Sequence, residues 1–193
     1  TISVAGSVSH TGAASLEGDL TVVMNGGGAQ TVTTSSTGYL GSLQISNTAA
    51  VVSLGSNLLV QKLLTIDLNT TLDVTATNYT IEIKDGGWTR TGTFTQRQGT
   101  VTFNKVSNTA YTLTGATTFY NLTFAGDTAN SDLLLSDDLI VQHTLSITDA
   151  YVATQTVEAD GTELHTISVA GAVSHTGAAS LEGDLTVVMN GGG

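Results

Sequence analysis

Residues 1–28 read TISVAGSVSHTGAASLEGDLTVVMNGGG, and residues 166–193 read TISVAGAVSHTGAASLEGDLTVVMNGGG. The two stretches differ only at Ser7 and Ala172. A sequence that restarts after 165 residues is a repeat, and a repeat decides architecture before local propensity does. The second copy stops at Asn190-Gly191-Gly192-Gly193, where the first runs on into AQTVTT. The expectation is a molecule that continues, as a tandem array on one long chain or by head-to-tail association.

A weaker period is nested inside the unit. NLLVQKLLTID at 57–67 matches DLIVQHTLSIT at 138–148, an offset of 81. QTVTT at 30–34 resembles YTLTG at 111–115, YLGSLQI at 39–45 resembles FYNLTF at 119–124, and GWTRTG at 87–92 matches AVSHTG at 172–177. Residues 1–165 therefore read as one unit of two diverged halves of roughly 80 residues, about 12–91 and 92–176 in repeat register. Residues 166–193 begin the next unit.

Short segments with apolar residues at period two recur: LTVVM (20–24), QTVTT (30–34), LLTID (63–67), YTIEI (79–83), TVTFN (100–104), NLTFA (121–125) and TISVA (166–170). That alternation marks a strand with one buried face. Gly, Asn, Asp and Ser fill the gaps between them, as turns require. No apolar stripe holds helical spacing for three turns, so little or no helix is expected. Proline is absent, which suits stacked interior strands whose every N–H needs a partner.

The fold class is all-β, and two architectures fit: a parallel β-solenoid (β-helix) or a string of sandwich domains of roughly 80 residues. The solenoid is preferred. The strands are short and aromatic residues make up only 5% of the chain. A solenoid core is a narrow stack of Val, Ile, Leu and Ala, whereas a sandwich asks for bulkier filling, and only Trp88 offers it. With coils of roughly 20–25 residues, a unit holds about 7–8 coils and advances roughly 35 Å at ~4.8 Å per coil.

GTFTQRQGTVTFNKVSNTAYTLTGATTFYNLTFAGD (92–127), followed by LLLSDDLIVQHTLSIT (133–148), resembles a tandem repeat of very long bacterial cell-surface and secreted proteins. It departs from that pattern at Lys105, where the repeat prefers Gly, and in the longer segment 149–165. The resemblance implies β-helical stalks and adhesins, and an extracellular or cell-surface location.

The charge is −11, which disfavours nucleic acid as a partner. All five bases lie between Lys62 and Lys105, while residues 127–163 hold eight acids and no base. No apolar run approaches the ~18–20 residues of a membrane span, so no membrane insertion is expected. The absence of cysteine removes disulfides, thiolate metal sites and a Cys nucleophile. No leader opens the chain, so Thr1 is read as the product of processing or the edge of a window in a longer protein.

Chemistry finds little purchase. His10 and His175 occupy one repeat position, in SHTG, which the other half fills with Arg90; His143 and His165 stand apart. Calcium could sit among Asp132, Asp137, Asp138 and Asp149, but Asn57 replaces Asp138 in the first half. Asp137 and Asp138 are adjacent, so on a strand they face opposite sides and make a poor carboxylate pair. No catalytic residue, cofactor or enzyme activity is expected.

Thr-x-Thr pairs at 31–33, 75–77, 89–91, 93–95, 100–102, 112–114 and 154–156 could order water if stacked on one flat face. Otherwise they are ordinary outward strand residues. Asn69, Asn78 and Asn121 head glycosylation sequons. A Lys–Asn isopeptide crosslink could involve Lys62, although His143 takes its place in the other half. Tyr39, Tyr79, Tyr111, Tyr120 and Tyr151 are too scattered for an aromatic row.

The function expected is structural: a segment of an extracellular filament or stalk whose partner is itself. The contact candidates are Thr1, Ile2, Val4, Leu20 and Val22 at one end, and Ile167, Val169, Leu185 and Val187 at the other. The alternatives are an adhesin binding a glycan or surface ligand, and an ice-binding or polysaccharide-active β-helix.

Overall fold

A computed structural model describes residues 1–13, 15–107, 110–126, 131–149, 155–159, 161, 163–177, 180–182 and 184–191. Within strands, the side chains of residues 17, 111, 131, 132, 149, 155–159, 180 and 182 lie outside that description. Among the described residues there is no helix, and every strand pairing is parallel. The chain is a parallel β-solenoid.

Each coil visits three faces in the same order. Face 1 begins with Ile2–Val4 and continues through 22–24, 43–45, Leu64–Ile66, Trp88–Arg90, Tyr111–Thr114, Ser131–Leu135, Gln155–Ala159 and Ser180–Glu182. Face 2 begins with Val8–His10, Gln30–Thr34, Val52–Leu54, Thr71–Asp73 and Thr93–Thr95. It resumes with 117–119, 139–141, His165–Val169 and Leu185–Met189. Face 3 holds Leu16 and Leu40, then Leu58–Val60, Ile81–Ile83, Thr100–Lys105, 121–126, 144–149 and Ala172–Thr176.

Register partners measure the coil. On face 1, Ile2, Val22, Leu43, Leu64, Trp88, Leu113, Leu135 and Ala159 stand in one column and step along the chain by 20 to 25 residues. The chain makes about seven turns between Ile2 and Ile167. The last step carries it one face further, because Ile167 lies on face 2, between Leu139 and Val187.

Alternation explains why these segments are strands. Gln30–Thr34, Leu64–Ile66 and His165–Val169 bury every second residue. The inward residues form one core, from Val22, Leu43 and Ile45 through Leu64, Ile83, Phe103 and Phe124 to Leu145, Ile147 and Ile167. Burying one such side chain contributes roughly 1.5–3 kcal/mol, but only when coils on both sides exclude water.

The ladder of face 2 is interrupted. Its first five strands form a sheet of their own, and no strand pairing joins Thr93–Thr95 to 117–119. Aromatic packing spans the break. Trp88 meets Phe94 edge-on at 5.0 Å and Phe119 at 5.5 Å, and Trp88 and Phe119 are fully buried. The indole Nε1 donates to Thr117 Oγ1 at 3.2 Å, and Thr117 Oγ1 donates in turn to Gly115 O at 2.6 Å. Trp88 is thus core filling, with its polar edge satisfied.

Coils approach closely at the corner before Trp88. A Cβ added at Gly86 would lie 1.5 Å from Lys62 O. Gly86→Ala must therefore spread two coils, and Trp88→Ala must open a cavity at the ladder break. Each is expected to lower stability, Trp88→Ala by about 3–5 kcal/mol, read as a shift of the urea unfolding midpoint of the far-UV β signal.

Candidate assembly edges and ligand faces

A solenoid presents two kinds of candidate surface, the outward columns of its faces and its two end coils. At the first end, Ile2 is 48% exposed and Leu16 38%, while Val4 and Val8 are only partly buried. At the other end, Val173, Leu181 and Val188 are 37–39% exposed and Met189 56%. Among the described residues no strand covers Leu185–Met189 on its outer side.

The two sequence copies make the same local structure. In the first, Ile2 pairs with Val22 and Val4 with Met24; in the second, Ile167 pairs with Val187 and Val169 with Met189. Asn25 N donates to Val4 O at 3.1 Å, and Asn190 N to Val169 O at 2.7 Å. Gly26 and Gly191 are pressed against Ala5 O and Ala170 O respectively. What differs is the covering coil. Met24 lies under Ile45 and is fully buried, whereas its counterpart Met189 is 56% exposed.

The contact candidates fall in different places. Thr1 and Ile2 are exposed, Val4 and Leu20 are half-buried, and Leu185 and Val187 are half-buried against the core. Val22, Ile167 and Val169 are buried by coils of the same chain on both sides. The outer edge at that end is instead formed by Val173, Leu181 and Leu185–Met189. Leu185 and Val187 of the candidates lie on that last strand, while Ile167 and Val169 lie one coil inside it, because alternation reports which residues point inward and not which coil lies outermost.

A buried polar cluster ties the first coils together. Gln30 is 2% exposed and Asn47 1%. Gln30 Nε2 donates to Val4 O at 2.8 Å and Gly6 O at 2.5 Å, and its Oε1 accepts from Gly26 N at 3.0 Å and from Asn47 Nδ2 at 2.9 Å. Asn47 Nδ2 also donates to Gly28 O at 2.7 Å, and its Oδ1 accepts from Ala49 N and Ala50 N, both at 3.0 Å. Every polar atom of both amides is used, so burial carries no desolvation penalty left unmet. Nothing in QTVTT marked Gln30 as more than the edge of a strand.

The outward columns of face 3 form an uncharged array over four coils. Thr100, Asn121, Thr144 and Ala172 stand in one column; Thr102, Thr123, Ser146 and Ser174 in the next; Asn104, Ala125, Thr148 and Thr176 in a third. The Thr-x-Thr pairs of the sequence do not form one column: 89–91 begins on face 1, 93–95 lies on face 2 and 100–102 on face 3, and Thr89 and Thr114 are the register partners among them on face 1. The array was legible as NLT, TLS and AVS only once register was known. Beside it, Tyr120 stacks on His143 at 5.0 Å, and His143 Nδ1 lies 2.9 Å from Asn121 Oδ1.

The acids near these faces serve the corners. Asp137 Oδ2 accepts from Gly115 N at 2.6 Å, and Asp138 Oδ1 from Thr166 N at 2.7 Å. The side chains of Asp132 and Asp149 lie outside the described residues, as does Tyr151. Among the described residues no group of three His or carboxylate side chains converges. Lys62 pairs with Asp19 at 2.5 Å, and Asp19 is 97% exposed, which is not the buried setting an isopeptide needs. The sequon residues Asn69 and Asn78 occupy left-handed turn conformations.

Tyr39 and Asp73 show how these surfaces are tuned. Burial, with a hydrogen bond to Glu82 at 2.9 Å, pushes the Tyr39 phenol up to about 12, so it remains a donor. Lys84 sits over its ring at 5.1 Å. The Arg97 guanidinium grips Asp73 through two 2.7 Å bonds and holds its carboxyl below the usual range, aided by Thr75 N.

Comparison with protein-family models, curated proteins and solved structures returns no match. No helix among the described residues is long and apolar enough to cross a membrane.

The Asp73–Arg97 pair contributes stability above the carboxyl's unfolded value of about 3.9. The contribution is lost as pH falls through the lower folded value. Arg97→Gln is expected to raise the Asp73 carboxyl toward its ordinary range and to flatten this part of the acid unfolding profile, as measured by carboxyl NMR titration.

Proposed function

We propose that the chain is a structural segment of an extracellular filament or cell-surface stalk, assembling along the solenoid axis with further copies of itself. The observation that carries this reading is a parallel solenoid whose core is closed only between neighbouring coils, in a chain whose first and last coils share one sequence. A side chain that is fully buried in one copy, Met24, is 56% exposed in the other, Met189. Exposed parallel edges with apolar inward residues are templates for pairing. No Pro or Lys stands in either terminal copy to blunt them. The negative charge opposes side-by-side clumping while leaving axial growth available. The likeness of residues 92–148 to bacterial stalk repeats supports the same reading and an origin outside the cell.

A second reading is favoured by face 3. Its array of Thr, Ser, Asn and Ala carries no charge and repeats at strand spacing, which suits a hydroxyl-rich ligand such as a glycan or an ordered water layer. Thr102→Lys with Thr123→Lys would abolish glycan retention or ice recrystallisation inhibition while leaving assembly intact.

Analytical ultracentrifugation and electron microscopy over rising concentration test the filament. Axial oligomers built from chains of 19.7 kDa are expected. A compact monomer at every concentration would remove the proposal.

A further inference from the structure

Asn25 and Asn190 are the asparagines that glycine follows, each in the run MNGGG. An Asn-Gly step is the one most open to succinimide closure, because glycine places no Cβ beside the nitrogen that must attack the preceding side chain. Two conditions decide whether it closes. Water must reach the Asn side chain, and the Gly nitrogen must be free to give up its proton and approach Asn Cγ. The structure separates the two conditions at the first of these steps. Asn25 is exposed, whereas Gly26 is buried. Asn25 N donates to Val4 O at 3.1 Å, and Gly26 N donates to Gln30 Oε1 at 3.0 Å.

We infer that Asn25 is a latent deamidation site and that Gln30 keeps it shut. Gln30 Oε1 holds the proton that the reaction must remove. The amide is itself fixed, since Nε2 donates to Val4 O at 2.8 Å and Gly6 O at 2.5 Å, and Asn47 Nδ2 donates to Oε1 at 2.9 Å. With Nε2 committed to two carbonyls, the amide cannot turn over, and its oxygen stays on Gly26 N. Packing adds to the bond. A Cβ added at Gly26 would lie 2.2 Å from Ala5 O and 2.9 Å from Gln30 Cδ, so the glycine has no room to swing toward Asn25 Cγ. The inference concerns covalent ageing and stands apart from the filament reading.

The chemistry needs no co-reactant but water. Gly26 N bonds to Asn25 Cγ and passes its proton to solvent, while Nδ2 takes up a proton and leaves as ammonia. Water then opens the succinimide at either carbonyl and leaves aspartate or isoaspartate at position 25. Both products carry a new negative charge, and isoaspartate lengthens the main chain by one carbon. That carbon would fall between Asn25 N, bonded to Val4 O, and Gly26 N, bonded to Gln30 Oε1. The two bonds could not both be kept, so a transient opening of these coils would be made permanent.

The guard does not belong to MNGGG. Gln30 opens the strand that follows, Gln30–Thr34, which pairs with Val8–His10 on one side and Val52–Leu54 on the other. Protection is therefore in place only while that strand is seated, and the rate of deamidation measures how often it lets go.

The test uses the full chain, with peptide mass spectrometry following the fragment that runs from Asn25 into QTVTT, which its sequence separates from 189–193. Asn25 is expected to stay intact in the folded chain and to deamidate readily in urea. Gln30→Met keeps the side-chain length and removes the acceptor. It is expected to speed deamidation of Asn25 about tenfold under folding conditions, the worth of one hydrogen bond. Asn47→Ala loosens the same cluster but leaves Gln30 on Gly26, and should change the rate far less. An unchanged rate in folded Gln30→Met, or an equal rise in Asn47→Ala, would overturn the inference. Should Gln30→Met fail to fold, the unaltered chain decides: over sub-denaturing urea, deamidation of Asn25 and hydrogen exchange at Gly26 N should rise together. Deamidation at the unfolded rate while Gly26 N stays protected would overturn it.

Discussion

The structure depends on one constraint: a coil of this chain cannot cover its own inward side chains. Each coil contributes one short strand to each face, with alternate residues pointing into a space closed only by the coils before and after. Met24 and Met189 have the same local sequence and the same backbone partner on one side, and they differ only in whether a coil follows. One is fully buried and the other is 56% exposed. Stability in such a fold belongs to pairs of neighbouring coils, which makes the ends the place where association changes most.

Hydrogen bonding obeys the same rule. Corner bonds run from coil to coil, Asn25 N to Val4 O, Ser46 N to Met24 O, Asp67 N to Ile45 O and Thr91 N to Ile66 O. Where the ladder fails, on face 2 between coils five and six, bulk replaces it: Trp88, Phe94 and Phe119 fill the break. Where polar groups enter the interior, as at Gln30 and Asn47, each finds its full complement of partners. The solenoid tolerates irregular coils of 20 to 25 residues because corners absorb the difference while strands keep their register.

Inward and outward positions were legible in the sequence because period-two alternation is a direct projection of the strand. Leu64, Ile66, Ile167 and Val169 could be assigned to the core from spacing alone, and the solenoid could be preferred over sandwiches from low aromatic content and short strands. What spacing could not reveal is which residues lie above one another, since corner length varies. Thr123 and Ser146 therefore looked unrelated, though they stack, while the neighbouring Thr-x-Thr pairs at 89–91, 93–95 and 100–102 fall on three different faces. Gln30 was opaque for another reason: its role depends on the carbonyls of Val4 and Gly6, which have no side-chain signature.

Register also bears on which functional reading is the stronger. Sequence counterparts do not share a face: Leu58 stands on face 3 and Leu139 on face 2, just as Ile2 stands on face 1 and Ile167 on face 2. An array that continued with the same step would turn each successive unit by one face. The hydroxyl columns on face 3 would reappear on face 1 in the next unit and on face 2 in the one after. A ligand strip running along one side of a long fibre could not be built that way. The contact between successive coils, by contrast, is unaffected by rotation, because a coil reads only the backbone and inward side chains of its neighbour. The axial contact is therefore the feature that such a repeat preserves, and a lateral binding face is the feature that it scatters.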